Sequence, residues 1–204
     1  MNNIKNIIFD LGGVFLNLNY QLTEDAFVKA GIDNFHELFT QHHVNPLFHL
    51  LETGKISEAD FYNSFRKETG KSITDEIIKN AWNAMLLSFP KERIDWLKTI
   101  SKQYKVFLFS NTNQIHYDAF MKIFEETFNA SDFNSLFIKA YYSQQMGLRK
   151  PDKEAFEFIL NEQNLNAAET LFIDDTPKNI EGAKAVGLQT ILLQSPLTVL
   201  DLNL

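Results

Sequence analysis

At 204 residues the chain is long enough to bury a full core, as one large folding unit or two small ones. Its 45% hydrophobic and 22% charged residues are ordinary for a soluble globular protein, and the absence of cysteine excludes disulfides, thiolate metal sites and cysteine nucleophiles. A net charge of −7 argues against nucleic acid or an anionic membrane as the main partner, while leaving room for a small anionic ligand in a closed site.

The first segment, residues 4–10, reads as a buried strand, with Ile4, Ile7, Ile8 and Phe9 followed by Asp10 and then Gly12-Gly13. No secretory leader is read before it, and no window approaches ~18 uninterrupted apolar residues, so the expectation is a cytoplasmic protein with no membrane span. From about 22 to 87 the apolar residues recur at three- and four-residue steps, as in Phe27, Ala30, Phe35 and Leu38. Gly31, Pro46, Gly54 and Gly70 punctuate this stretch, which predicts about four helices and no strand. After Pro90 strands and helices alternate: helix 94–102, strand 105–110, helix 114–128, strand 136–142, helix 153–162, strand 171–174, helix 177–185 and strand 190–193. That alternation predicts an α/β fold, a Rossmann-like parallel sheet with helices on both faces.

Three apolar runs end in small polar or acidic residues, as buried parallel strands do where their carboxyl ends open into a crevice. Asp10, followed by glycines, suits a nucleophilic carboxylate that also binds a metal, or a turn cap. Ser110 and Asn111 close a second strand and suit a phosphate seat; a helix cap at Ser110, Asn111 or Asn113 accounts for them nearly as well. Lys150, between Arg149 and Pro151, offers a compact cation, although a lone Lys is most often a surface residue. Asp174 and Asp175 repel each other unless a cation or hydrogen bonds compensate, and Asn179 could fix one of them. His42, His43 and His49 are expected to be neutral surface histidines, His116 to face solvent, and Lys55 and Arg66 to lie on a solvated face.

Taken together and in order, these residues resemble the haloacid dehalogenase-like hydrolase superfamily over nearly the whole length. Phe9-Asp10-Leu11-Gly12-Gly13-Val14 matches its first motif, Ser110-Asn111 the second, Lys150-Pro151-Asp152 the third, and Asp174-Asp175 through Asn179 the fourth. The insert resembles the small α-helical cap of that superfamily. Within it, Leu51-Glu52-Thr53-Gly54-Lys55-Ile56 is similar to the cap turn of epoxide-hydrolase-like and sugar-phosphate phosphatase members. The resemblance implies a catalytic core of residues 1–16 and 89–204 with a cap over 17–88.

It further implies Mg²⁺-dependent hydrolysis of a small phosphomonoester, with sugar phosphates among the candidates, through an aspartyl phosphate on Asp10. Asp10, the carbonyl of Gly12, Asp175 and Asp174 would hold the metal. Ser110 and the amide of Asn111 would hold the phosphoryl oxygens, and Lys150 would neutralise charge. The partner would be a small phosphorylated metabolite; oligomeric state is left open. One position departs from the pattern. Family phosphatases usually carry an acid–base Asp two residues after the nucleophile, and here that residue is Gly12. Two alternatives follow, a catalytically impaired protein that binds phosphorylated ligands, and a metal-free haloacid dehalogenase. Asp174-Asp175 argues against the second.

Overall fold

The structure, a computed structural model, describes residues 3–40, 43–129 and 132–204. Strand β1 (Asn6–Phe9) is followed by helices α1 (Tyr20–Lys29) and α2 (Phe35–Leu38), the short strands β2 (Phe39–Thr40) and β3 (His43–Val44), and helices α3 (Pro46–Glu52), α4 (Glu58–Thr69) and α5 (Asp75–Asn83). Then come α6 (Lys91–Ile100), β4 (Lys105–Ser110), α7 (Gln114–Phe128), β5 (Lys139–Tyr142), α8 (Ser143–Met146), α9 (Lys153–Glu162), β6 (Thr170–Asp174), α10 (Pro177–Ala185) and β7 (Gln189–Leu192). No described helix is long and apolar enough to cross a membrane.

Five strands form one parallel sheet in the order β5-β4-β1-β6-β7. All four residues of β1 are buried, as a central strand covered on both faces requires. On one face Phe107, Phe109, Phe156 and Phe172 pack with Ile8 and Ile159; on the other Phe9, Phe15, Leu97 and Leu108 pack with Phe120 and Phe124. The phenylalanine excess thus fills both layers.

The segment between β1 and α6 has its own apolar cluster, built from Phe27, Phe35, Phe48, Phe61, Phe65 and Trp82, with Ile115 of α7 joining from the sheet side. The two chain crossings run side by side. Asn17 N–H donates to the Ser88 carbonyl, Leu87 N–H to Asn17, and Asn19 N–H to Met85, at 2.9–3.0 Å. Sequence periodicity predicts about four helices and no strand here. The described residues instead include five helices, one of them the single turn α2, and the antiparallel pair β2–β3. Two-residue strands are too short to carry a period-2 signal, so their pairing with each other, not pattern, makes them.

Candidate active site

Strand register builds the site. Phe9 lies level with Leu108 of β4 and Ile173 of β6. Asp10, the end of β4 and Asp174 therefore emerge side by side, and the Asp10 N–H donates to the Ile173 carbonyl at 2.9 Å. All these chain ends lie at the carboxyl edge of the sheet, where α/β proteins open their crevices.

Lys150 reaches this edge from the loop after α8. The Asn111 side chain clasps its backbone from both sides, since Lys150 N–H donates to Asn111 Oδ1 and Asn111 Nδ2 donates to the Lys150 carbonyl, each at 2.9 Å. The side chain of Lys150 is 1% exposed, and its ammonium donates to Asp10 Oδ1 at 2.6 Å and Asp174 Oδ2 at 2.7 Å. Rings of Phe109 and Phe172, with centroids 5.3 and 5.5 Å away, flank the cation. Of the capping candidates, Asn113 caps α7 by accepting from His116 N–H, so Ser110 and Asn111 are not spent on the helix end. Ser110 is buried and lines the cavity beside Asp10.

Asp174 is fully buried and hydrogen-bonded on both oxygens. Thr176 N–H reaches Oδ1 at 2.7 Å, and Asn179 Nδ2 reaches both oxygens at 3.0 Å. Asp175 accepts from the Thr176 hydroxyl at 3.0 Å and lies against Gly13. A Cβ on Gly13 would stand 2.5 Å from Asp175 Oδ2, and its φ of +72° is one that side-chain-bearing residues rarely adopt. Asp10, Asp174 and Asp175 each offer an oxygen, and these lie within 4.8 Å of one another.

The electrostatics follow from burial. It pushes the Asp10 carboxyl up to about 7, with Lys150 pulling down and Asp174 and Asp175 adding to the rise. Burial, then Asp174, raises Asp175. For Lys150 burial alone would lower the value, but the Asp10 and Asp174 carboxylates outweigh it and hold the ammonium charged. Three carboxylates against one ammonium leave a surplus of negative charge. A hard divalent cation with oxygen ligands is what such a donor set fits.

A cavity of 330 Å³ opens over these groups. Asp10, Gly12, Ser110, Asn111, Lys150 and Asp175 line it from the sheet edge, and Tyr20, Phe39, Glu52 and Met85 from the helical segment. Arg149, Thr112 and His116 also line it. Sequence reasoning expects His116 to face solvent, and the structure corrects this. His116 is 7% exposed, stacks on Trp82 with centroids 4.5 Å apart, and contacts the Trp82 carbonyl through Nε2 at 3.1 Å. Burial lowers its pKa to about 4, so the ring is neutral. Its spacing of four and eight from Phe120 and Phe124 places it on the buried stripe of α7, a signal that was available in the sequence. Glu52 was likewise readable, four residues after buried Phe48 on α3. Tyr20 and Arg149 carry no such mark. Arg66 pairs with Asp75 at 2.5 Å; neither it nor Lys55 lines the cavity, and Lys55 is exposed. His42 and the His43 side chain lie outside the described residues.

Comparison with known proteins agrees with the geometry. The model of the haloacid dehalogenase-like hydrolase family matches residues 4–187. The D-ribitol-5-phosphate phosphatase of Bacteroides thetaiotaomicron is 32% identical over 187 residues, spanning 92% of this chain and 90% of that protein. The sesquiterpene phosphatase of Aspergillus oryzae is 29% identical over 185 residues, spanning 90% of this chain and 87% of its own. A haloacid dehalogenase-like family enzyme of B. thetaiotaomicron, solved with magnesium and inorganic phosphate, superposes with a TM-score of 0.83 at 33% identity, over 95% of this chain and 96% of that one. With the motif residues gathered at one sheet edge and the family model matched over most of its length, the chain belongs to the haloacid dehalogenase-like hydrolases.

Proposed function

We propose that the chain is a Mg²⁺-dependent phosphatase of small phosphomonoesters, sugar phosphates among them. The observation that carries this reading is the Lys150 ammonium seated between Asp10 and Asp174, with Asp175 completing a cluster of three carboxylates. Asp10, Asp175, Asp174 and the Gly12 carbonyl are the groups that would hold the metal. Bound there, Mg²⁺ would supply charge neutralisation for a phosphate dianion facing a carboxylate.

Asp10 is the nucleophile in this reading. One carboxylate oxygen bonds to phosphorus, the ester P–O bond breaks, and the alcohol leaves with the electron pair and takes up a proton. Water then attacks the aspartyl phosphate, releasing phosphate and restoring Asp10. Lys150 orients Asp10 and offsets the charge it meets, and Asn179 and Thr176 hold Asp174 as the fixed anchor of that ammonium. Ser110 and the Asn111 N–H hold the phosphoryl oxygens, while the Asn111 side chain keeps Lys150 in place. Residues 17–88 act as a cap whose Tyr20, Phe39 and Met85 cover the cavity and separate it from bulk solvent.

Nothing at position 12 can donate a proton. A good leaving group needs little protonation, and a solvent molecule serves the rest. The deciding experiment is hydrolysis of p-nitrophenyl phosphate with Mg²⁺ and with chelator, beside Asp10→Asn. The expected result is chelator-sensitive turnover that the variant loses. Halide release from a 2-haloacid without metal, or tight binding of phosphate esters without turnover, overturns the proposal.

A further inference from the structure

We propose that Tyr20 is a catalytic residue whose hydroxyl donates a hydrogen bond to the ester oxygen as the P–O bond breaks, steadying the leaving group that position 12 cannot serve. This rests on the phosphatase reading above and adds a residue to its first step.

The sheet edge creates the need. Gly12 has no side chain to offer, and the space beside it is taken, since Leu18 Cδ1 stands 2.6 Å from where a Cβ would begin. Lys150 is held between Asp10 and Asp174, the Thr176 hydroxyl donates to Asp175, and the Asn179 amide to Asp174. The polar groups of that edge are therefore engaged with phosphate, metal or one another. An alkoxide gathers negative charge as it departs, and a donor for it must come from elsewhere.

The line of displacement fixes where that donor must stand. Attacking and leaving oxygens lie roughly in line across phosphorus. With Asp10 attacking from the sheet edge, the leaving oxygen faces the opposite wall of the cavity, which residues 17–88 supply. On that wall Leu18, Phe39, Val44, Met85 and Leu86 are apolar. Glu52 is a carboxylate whose Oε2 is buried against Arg149 at 2.8 Å. Tyr20 lines the same wall, is partly exposed, and is its one O–H donor among the described residues.

Its surroundings keep it a donor. Burial first, then Asp175 and Asp10, raise the phenol above its ordinary value, so it holds its proton within the field of the carboxylates that meet the phosphate. The backbone beneath it is fixed. Tyr20 opens α1 directly after the cap residue Asn19, whose N–H donates to the Met85 carbonyl at 2.9 Å. One turn on, the Thr23 hydroxyl donates to the Trp82 carbonyl at 3.1 Å and accepts from Met85 N–H at 3.0 Å. A donor set in place before the reaction stabilises developing charge without reorganising. The proton that ends on the alcohol comes from water, and the phenol leaves the step unchanged.

The test is Tyr20→Phe, assayed in Mg²⁺ as kcat/KM, which reports the step that expels the alcohol. p-Nitrophenyl, phenyl and benzyl phosphate present leaving groups of similar shape and falling acidity. The loss in the variant is expected to grow along this series, from about 3-fold or less for p-nitrophenyl phosphate to about 10²-fold for benzyl phosphate. Thermal melts of the two proteins should coincide, because only a hydroxyl is removed. A variant that loses the same factor on all three esters, or nothing on benzyl phosphate, overturns the assignment of Tyr20 while leaving the phosphatase reading intact. A wild type that hydrolyses none of the three fells the phosphatase reading, and this one with it.

Discussion

Lys150→Met tests the electrostatic core of the site directly. Methionine has nearly the same length and no charge, so packing between Phe109 and Phe172 is kept while two charge-assisted hydrogen bonds, at 2.6 and 2.7 Å, are lost. What remains is a cluster of three carboxylates with no cation inside it. Removing one partner of a buried ion pair costs about 3–5 kcal/mol, because the other charge stays desolvated. For a chain of this size that corresponds to a fall in melting temperature of about 6–20 °C. The pH dependence has a definite sign. Burial already pushes Asp10 up to about 7, and losing Lys150 moves it further in the same direction. A carboxyl raised on folding contributes stability that is fully present below its unfolded value of about 4 and is lost as pH climbs through its folded value. The Asp10 share of the variant's deficit should therefore be larger at pH 9 than at pH 7, because the wild-type carboxyl gives up its proton near 7 and the variant's only at higher pH. Thermal melts of wild type and variant at both pH values, with chelator, measure this, and Mg²⁺ should raise the variant's midpoint more than that of wild type. A variant melting within 2 °C of wild type at pH 9, or one whose deficit grows from pH 9 to pH 7, would refute the claim that Lys150 compensates buried carboxylates.

A Cβ at Gly12 would meet Leu18 Cδ1 at 2.6 Å, so Gly12→Asp alone needs Leu18 to move. Gly12→Asp with Leu18→Ala should raise turnover of alkyl phosphates by about 10²-fold or more and that of p-nitrophenyl phosphate far less, read from kcat for the two leaving groups. His116 is lowered to about 4 by burial, so its contribution is present above pH 6.5 and lost as pH falls toward 4. Urea unfolding at pH 7.5 and 5 should show wild type losing about 2 kcal/mol more than His116→Gln. Asn111→Ala removes both clasps on the Lys150 backbone, and kcat should fall roughly 10–100-fold with KM little changed, a split that steady-state kinetics would reveal.

The layers of the fold were legible because they are written in local pattern. The helices Gln114–Phe128, Lys153–Glu162 and Pro177–Ala185 and the strand Lys105–Ser110 fall on the predicted bounds. Apolar periodicity and Asn, Pro and Gly at element ends fix such segments without help from the rest of the chain. The acidic motif residues were legible for the same reason, since each sits at or beside the end of an apolar run, whereas Lys150, in a loop, stood out only by its order among the motifs. The β2–β3 pair was not, because two residues a side leave no period to read.

Sequence alone determined which residues could bring charged or polar groups to a sheet edge: Asp10, Ser110, Lys150, Asp174 and Asp175. Only the tertiary structure decided their partners. The register of β1 against β6 sets Asp10 beside Asp174, and a loop 140 residues away brings the ammonium that makes the pair tolerable. The placement of Glu52, Arg149 and His116 around the cavity is likewise a product of how the helical segment docks. A residue's type follows from its own codon position, but its pKa and its neighbours follow from burial and from chains that meet only once folded.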